Sequence, residues 1–346
     1  MGLEMNERKK AILNAIIKEY ILSAEPVGSR ALSRKYHLGI SPATIRNEMA
    51  DLEEQGYLEQ PHISAGRVPS DKGYRFYVDS LLACISPQPE MIKAIQKSLG
   101  LKQNSIQEII ENTSKMVSRL TRYTTLVLGP AIKKSKFKYI QLLPIGGNGV
   151  LSILVTDTGM VQNRVLRLPH SMSRGELDQI SAFLNERLNE MPIDCIDNKM
   201  FKEMEQELIN RFDLYRQTLE VIEDEIIQEL HQMQENIYLG GTTYILDQPE
   251  FKDVEKVKII LKALEEEEIL HNMISSIDAN GIEVTIGHEN PLEEFQNLSL
   301  VTATYNLGQR QLGKISVLGP TRMEYSRVIN SVRIVSSILS EILTEK

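Results

Sequence analysis

Cysteine is nearly missing from this chain. Its two cysteines, Cys84 and Cys195, stand far apart and in no metal-ligand spacing, which excludes a disulfide framework and points to a reducing compartment. Histidine is sparse too. His37, His62, His170, His231, His271 and His288 are scattered, with no i, i+4 pair joined by a third ligand, so neither a metal nor another cofactor is expected. The glycine-rich stretch Gly146-Gly147-Asn148-Gly149 lacks both GxxxxGK[ST] and GxGxxG and reads as a turn between strands. No Ser/His/Asp or Cys/His set stands out, so the chain is not read as an enzyme. Glu265 to Glu268 read as a solvated helix end. No apolar run approaches the roughly 20 residues of a membrane span. The opening MGLEMNERKK leads into an amphipathic helix rather than an apolar leader, which places the protein in the cytoplasm as an expectation. There is no internal repeat and no low-complexity tract.

What is present is enough chain, 346 residues, for two or three domains. The net charge of −8 argues against bulk electrostatic attraction to nucleic acid, but it is unevenly spread. Residues 1–80 balance 11 Lys/Arg against 11 Asp/Glu; the remainder carries the whole deficit. Any nucleic-acid contact must therefore come from local geometry near the N-terminus.

The periodicity there predicts three helices and a hairpin. Apolar positions Ile12, Leu13, Ile16, Ile17, Tyr20 and Ile21 form one helical stripe with Asn6 as N-cap. A short second helix runs from Ser29 to about Tyr36, with Ala31 and Leu32 inward. After the turn at His37–Ile40, Ser41 caps a third helix that has Pro42 at its first position and is stopped by Gly56. Tyr57–Gln60 and Arg67-Val68 read as a short hairpin around a polar tip, and Ser70–Leu82 as a further helix. Pro87 and Pro89 mark a linker. Downstream come strands between Thr124 and Leu168, a helix over 173–189, helical stretches over 201–233 and 253–275, strands near 282–286, 300–307 and 311–318, and a helix over 325–343. The class is α+β: an antiparallel sheet with helices, interrupted by a helical insertion.

The third helix carries the functional signal. With its buried face centred on Ile45, Met49 and Leu52, the opposite face holds Ala43, Asn47, Ala50 and Glu54, flanked by Arg46. Small Ala43 and Ala50 would let the helix sit deep in a major groove about 12 Å wide. There Arg46 can pair bidentately with guanine and Asn47 with adenine. Ser41, Thr44 and the free N–H groups of the first turn suit a phosphate. A solvated polar face on an ordinary three-helix core accounts for the same residues. The hairpin tip weighs against that alternative. His62-Ile63-Ser64-Ala65-Gly66-Arg67 has no acid, and Arg30, Arg34 and Lys35 add positive charge beside the turn; His62, Ser64 and Arg67 are candidates for the backbone or minor groove.

The run PVGSRALSRKYHLGISPATIRNEMADLEEQGYLEQPHISAGRVPSDKGYRFYVD (26–79) resembles the N-terminal domain of the HrcA family of heat-inducible transcription repressors. The segments IYLGGTTYILDQPEF (237–251) and GKISVLGPTRMEYSRVI (313–329) are also similar to that family, and the likeness spans essentially the whole chain. The resemblance implies a winged helix-turn-helix over 1–87, a GAF-like domain over 88–195 and 252–346, and an inserted dimerisation domain over 196–251. It further implies a homodimer on an inverted-repeat (CIRCE-type) operator of chaperone operons, repression relieved by heat, and the chaperonin GroEL as partner. Leu208, Phe212, Tyr215, Leu219, Ile222 and Ile226 lie on an unbroken stripe between the sheet segments and are the candidate intersubunit residues. No small-molecule ligand is expected, because no convergent polar set stands out among apolar walls. Two rivals remain at this point: a regulator that senses a metabolite through the GAF-like domain, and an enzyme using the winged helix as a protein-docking module.

Overall fold

The structure is a computed structural model that describes residues 5–63, 65–83, 92, 95, 105–130, 135–196, 200, 236–277 and 281–344. Ser64, Cys84, Pro87, Pro89, His231 and the candidate stripe Leu208, Phe212, Tyr215, Leu219, Ile222 and Ile226 lie outside the described residues. The chain forms two compact units, one of residues 1–102, 111–127 and 237–346, the other of 103–110 and 128–236. Helices and antiparallel strands are mixed in both, so the class is α+β.

The first unit begins with α1 (Glu7–Ser23), started by the Asn6 side chain accepting the Lys9 N–H at 2.8 Å. It buries Ile12, Leu13, Ile16 and Ile17 and ends where Ala24 turns left-handed, φ 55°. Next come α2 (Ser29–Lys35) and α3 (Pro42–Glu54), the latter burying Ile45, Met49 and Leu52. Leu32 of α2 is buried, but Ala31 is exposed, which corrects the inward placement expected for it. Neighbouring residues of a helix are about 100° apart around its axis, so with Leu32 turned inward Ala31 swings toward solvent. Strands β1 (Leu58–Glu59) and β2 (Val68–Pro69) pair antiparallel, Leu58 with Pro69 and Glu59 with Val68. Helix α4 (Asp71–Leu82) follows, its N-cap Ser70 accepting the Gly73 N–H and donating to the Gly56 carbonyl at 2.6 Å.

Further along, α5 (Ile106–Thr121) precedes β3 (Thr124–Leu128). Late in the chain come β7 (Ile237–Gly240), β8 (Ile282–Ile286), β9 (Leu298–Leu307), β10 (Arg310–Pro320) and the closing helix, here called α9 (Tyr325–Thr344). They build a five-stranded sheet in the order β7-β3-β10-β9-β8, covered by α9 through Val328, Ile329, Val332, Val335 and Leu339. The helical stretch expected over 253–275 is two helices, α7 (Val254–Glu265) and α8 (Glu267–Ser275), because Glu266 is extended (φ −91°, ψ 95°). The glutamates at this break are exposed, as a solvated helix end requires.

The second unit holds β4 (Phe137–Gly146), β5 (Gly149–Thr156) and β6 (Val161–Arg167), an antiparallel meander backed by α6 (Arg174–Leu188). Phe137, Ile140, Leu142, Val150, Leu154 and Leu166 pack against Leu177, Ile180, Phe183, Leu184 and Leu188. The free edge of β4 is closed by α6: the Asn185 carboxamide bonds both the N–H and the C=O of Ile140, and Ser181 Oγ accepts the Leu142 N–H. Edge groups are thereby satisfied without a further strand. Gly146–Gly149 is the turn between β4 and β5, as expected.

The strand grouping differs from the sequence reading, which draws the strands of 124–168 into one sheet with those of 282–318. Strand β3 is buried at every position and sits inside the five-stranded sheet, whereas β5 alternates and has one covered face. The alternation marks a separate two-layer unit. Likewise β7, assigned by the reading to the insertion, is part of the five-stranded sheet, and the N-terminal helices share a unit with that sheet.

Candidate nucleic-acid interface

Helix α3 presents Ala43, Arg46, Asn47, Ala50 and Glu54 to solvent, all exposed, on the side away from Ile45, Met49 and Leu52. Local chemistry fixes this helix. Ser41 Oγ accepts the Thr44 N–H at 3.1 Å and hydrogen-bonds Thr44 Oγ1 at 2.9 Å, while Pro42 preorganises the first turn. Ser41 and Thr44 thus hold the helix start with their hydroxyls already engaged.

The domain's balanced charge is sorted by face. Three of the four acids of α3 are matched from behind, Asp51 by Lys9 at 2.9 Å, Glu48 by Arg8 at 3.6 Å and Glu53 by Arg67 at 2.7 Å, while Glu54 stays exposed on the outward face. The Asp51 carboxylate raises the Lys9 ammonium above its ordinary pKa. Lys35 is held by Glu19 at 2.6 Å. Arg30, Arg34 and Arg46 are exposed and make no ion pair with any described residue. A segment with no net charge therefore offers unmatched guanidinium groups on its outer side.

The hairpin is braced against α3. Val27 and Arg67 exchange two backbone hydrogen bonds, at 2.8 and 2.9 Å. A Cβ on Gly66 would meet the Val27 carbonyl at 2.5 Å, so only glycine allows that approach. Gln60 Nε2 donates to the carbonyls of Ile63 and Ala65, tying down the tip. His62 and Ile63 at the tip are exposed. Between the hairpin, α3 and the start of α2 lies a cleft of about 520 Å³, lined in part by Gly28, Ser29, Arg46, Gln60 and Arg67.

Of the expected site residues, the structure brings Arg46 and Arg67 to one cleft, and leaves Ala43 and Asn47 exposed on α3, His62 exposed at the hairpin tip and Arg30 exposed on α2. It also gives Arg67 an intramolecular partner: Nε and Nη2 both reach Glu53 Oε2, and the side chain is mostly covered. Arg67 therefore braces the hairpin. Arg67→Ala is expected to weaken DNA binding while leaving the slope of log affinity against log salt unchanged. A slope reduced by about one counterion would instead make Arg67 a phosphate contact. Sequence reasoning missed Gln60, Gly66 and Glu53. Only Gly66, a glycine between a polar tip and a strand, left a local signal.

A capped helix with an exposed polar face and a braced hairpin beside it, in one unit with an antiparallel sheet, is an arrangement suited to a DNA-binding regulator, and the relatives of the chain are transcription regulators. A profile of the HrcA protein C-terminal domain matches residues 107–329. The heat-inducible transcription repressor HrcA of Natranaerobius thermophilus is 45% identical over 346 residues, covering 99% of this chain and 98% of that one. That of Desulforamulus reducens is 45% identical over 342 residues, with 99% and 98% covered. The chain belongs to the HrcA family of heat-inducible transcription repressors. Its fold is shared with a hypothetical protein whose crystal structure was solved at 2.2 Å, with 22% identity, a TM-score of 0.68 and 99% of each chain covered.

Proposed function

We propose that this protein represses chaperone operons by seating a winged helix-turn-helix, α1 to α4 with the β1–β2 wing, on each half of an inverted-repeat operator. The observation that carries this reading is the exposed face of α3, with unmatched Arg46 beside Asn47, in a chain alignable to HrcA repressors over nearly its whole length. Arg46 and Asn47 read bases, Ser41, Thr44 and Arg30 set register at phosphates, and the tip at His62 and Ser64 reaches the flanking groove. The five-stranded sheet with α9 is the GAF-like body. The protein works in the cytoplasm without catalysis, and the chaperonin GroEL restores heat-damaged molecules to the active fold. The metabolite-sensing reading is not favoured, because the relatives aligned over nearly the whole chain are heat-inducible repressors.

A homodimer supplies the two heads through the stripe at 208–226. The same unit presents an open apolar sheet face: Tyr139, Val161 and Val165 are exposed around half-buried Leu151, Ile153 and Val155. Leu219→Asp with Ile226→Asp places unpaired charge in that interface at a cost of several kcal/mol. Sedimentation at micromolar concentration is expected to give a monomer, and a persisting dimer would place the interface elsewhere.

Heat relief has its own test. Protein bound to a synthetic CIRCE-type inverted repeat is expected to lose binding irreversibly on warming, through aggregation of exposed apolar helices. Chaperonin with ATP should raise the active fraction, and operator DNA should protect, because it binds only the native form. Full reversible recovery without help contradicts an intrinsic thermosensor.

A further inference from the structure

The N-terminal helices are fastened to the five-stranded sheet by directional polar contacts at two separate places. At the first, α4 faces β8 and the turn beyond it. The Asp71 carboxylate accepts the His288 N–H at 3.0 Å and meets His288 Nδ1 at 2.8 Å. Arg75 donates to both carboxylate oxygens of Glu289 and to the Val284 carbonyl, and lies 3.5 Å from Asp79. Gly287, at φ 53°, lets this turn close: a Cβ there would fall on the Asp71 carboxylate. Between Asp71 and Arg75 on the same helix, buried Tyr74 packs on buried Tyr325 of α9 with ring centroids 5.8 Å apart. At the second place, Arg322, itself paired with Glu250, donates to the Ile21 carbonyl at the end of α1 at 3.0 Å.

We propose that Asp71 and Arg75, with their partners Gly287, His288 and Glu289, are positioning residues that fix the angle of the DNA-reading head on the sheet body, and through it the half-site spacing that the dimer accepts. An apolar contact such as Tyr74 on Tyr325 resists separation but tolerates sliding. Hydrogen bonds weaken steeply with angle, so a ring of them holds one orientation. Surface ion pairs add little stability, which leaves orientation as what these contribute. Helix α4 transmits that orientation because it is rigidly joined to the wing: Ser70 bonds the Gly56 carbonyl, and Gly73 lies against the Tyr57 carbonyl where no Cβ fits. Two fastening points, at α4 and at the end of α1, stop the head from pivoting about either one. In a dimer, heads held this way present their recognition helices at one separation. Two base pairs inserted between half-sites rotate one of them by about 70° and carry it about 7 Å away, since a turn of DNA is about 10.5 bp and 34–36 Å.

The inference rests on the reading of the protein as a dimeric operator-binding repressor, and the experiment separates the two. The full-length protein is titrated against a single half-site, the CIRCE-type inverted repeat, and the same repeat with spacers changed by one and two base pairs. The wild type is expected to lose about a hundredfold in affinity at two added base pairs, because one head then binds alone. Asp71→Ala with Arg75→Ala should reduce that spacing penalty to less than about tenfold while half-site affinity stays within about twofold. Gly287→Ala, which keeps both charges but displaces Asp71, should act the same way. If the double variant fails to fold, Glu289→Gln on the exposed side of the pair carries the test. An unchanged spacing penalty, or equal loss on half-site and full repeat, overturns the positioning role. Failure of the wild type to bind any of these DNAs overturns the repressor reading beneath it.

Discussion

Arg46→Ala and Asn47→Ala should each weaken operator binding by about 1–3 kcal/mol per half-site, so a dimer loses up to twice that. The expectation follows from where the structure puts the two side chains. Both stand exposed on the face of α3 opposite its apolar stripe, and Ala43 and Ala50 leave that face low enough to enter a groove. Glu48, Asp51 and Glu53 of the same helix are engaged from behind by Arg8, Lys9 and Arg67, and Arg46 makes no ion pair with any described residue, so removing it removes an unmatched charge. Neither side chain is buried, so the variants should melt like the wild type. The check is affinity for operator and for random duplex at one salt concentration. Equal loss on both would mean that these residues touch only phosphate.

Gly66→Val should be as damaging by a different route. A Cβ at Gly66 would stand 2.5 Å from both the carbonyl carbon and oxygen of Val27, and 2.8 Å from the Pro26 carbonyl carbon. These are backbone atoms and cannot rotate away like a side chain. Relief requires breaking the paired hydrogen bonds between Val27 and Arg67, each contributing about 0.5–1.5 kcal/mol, and it frees the wing from the segment that joins α1 to α2. Forced overpacking adds about 1–3 kcal/mol. Operator affinity is expected to fall by about two orders of magnitude, with a lowered melting temperature. Gly66→Ala should show the same direction, since the clash begins at the first carbon. Wild-type binding by either variant would show that the wing does not need this docking.

The N-terminal elements were legible because their signals are local. Asn6, Ser41 and Ser70 announce helix starts by capping chemistry, Gly56 announces a stop, and periodicity assigns the inner face; α3 lies within a residue of its expected bounds at both ends. The exposed set on α3 was legible for the same reason. What pairs across distance was not. Arg67 reads as a free cation in sequence, yet Glu53, fourteen residues away on another element, occupies it. Asp71 and His288 are separated by 217 positions, and nothing near either announces the other. The division of 124–168 between two sheets also escaped, although the contrast between fully apolar β3 and alternating β5 records it. Short antiparallel turns predict hairpins but do not say which sheet a hairpin joins.

The most direct test of the account is the ratio of wild-type affinities for the inverted-repeat operator and for a scrambled duplex of the same length and composition, measured at physiological salt below the inactivation temperature. A repressor that reads bases through α3 predicts a preference of at least about a thousandfold for the operator. Equal affinity for the two duplexes, or no binding to either, would contradict it.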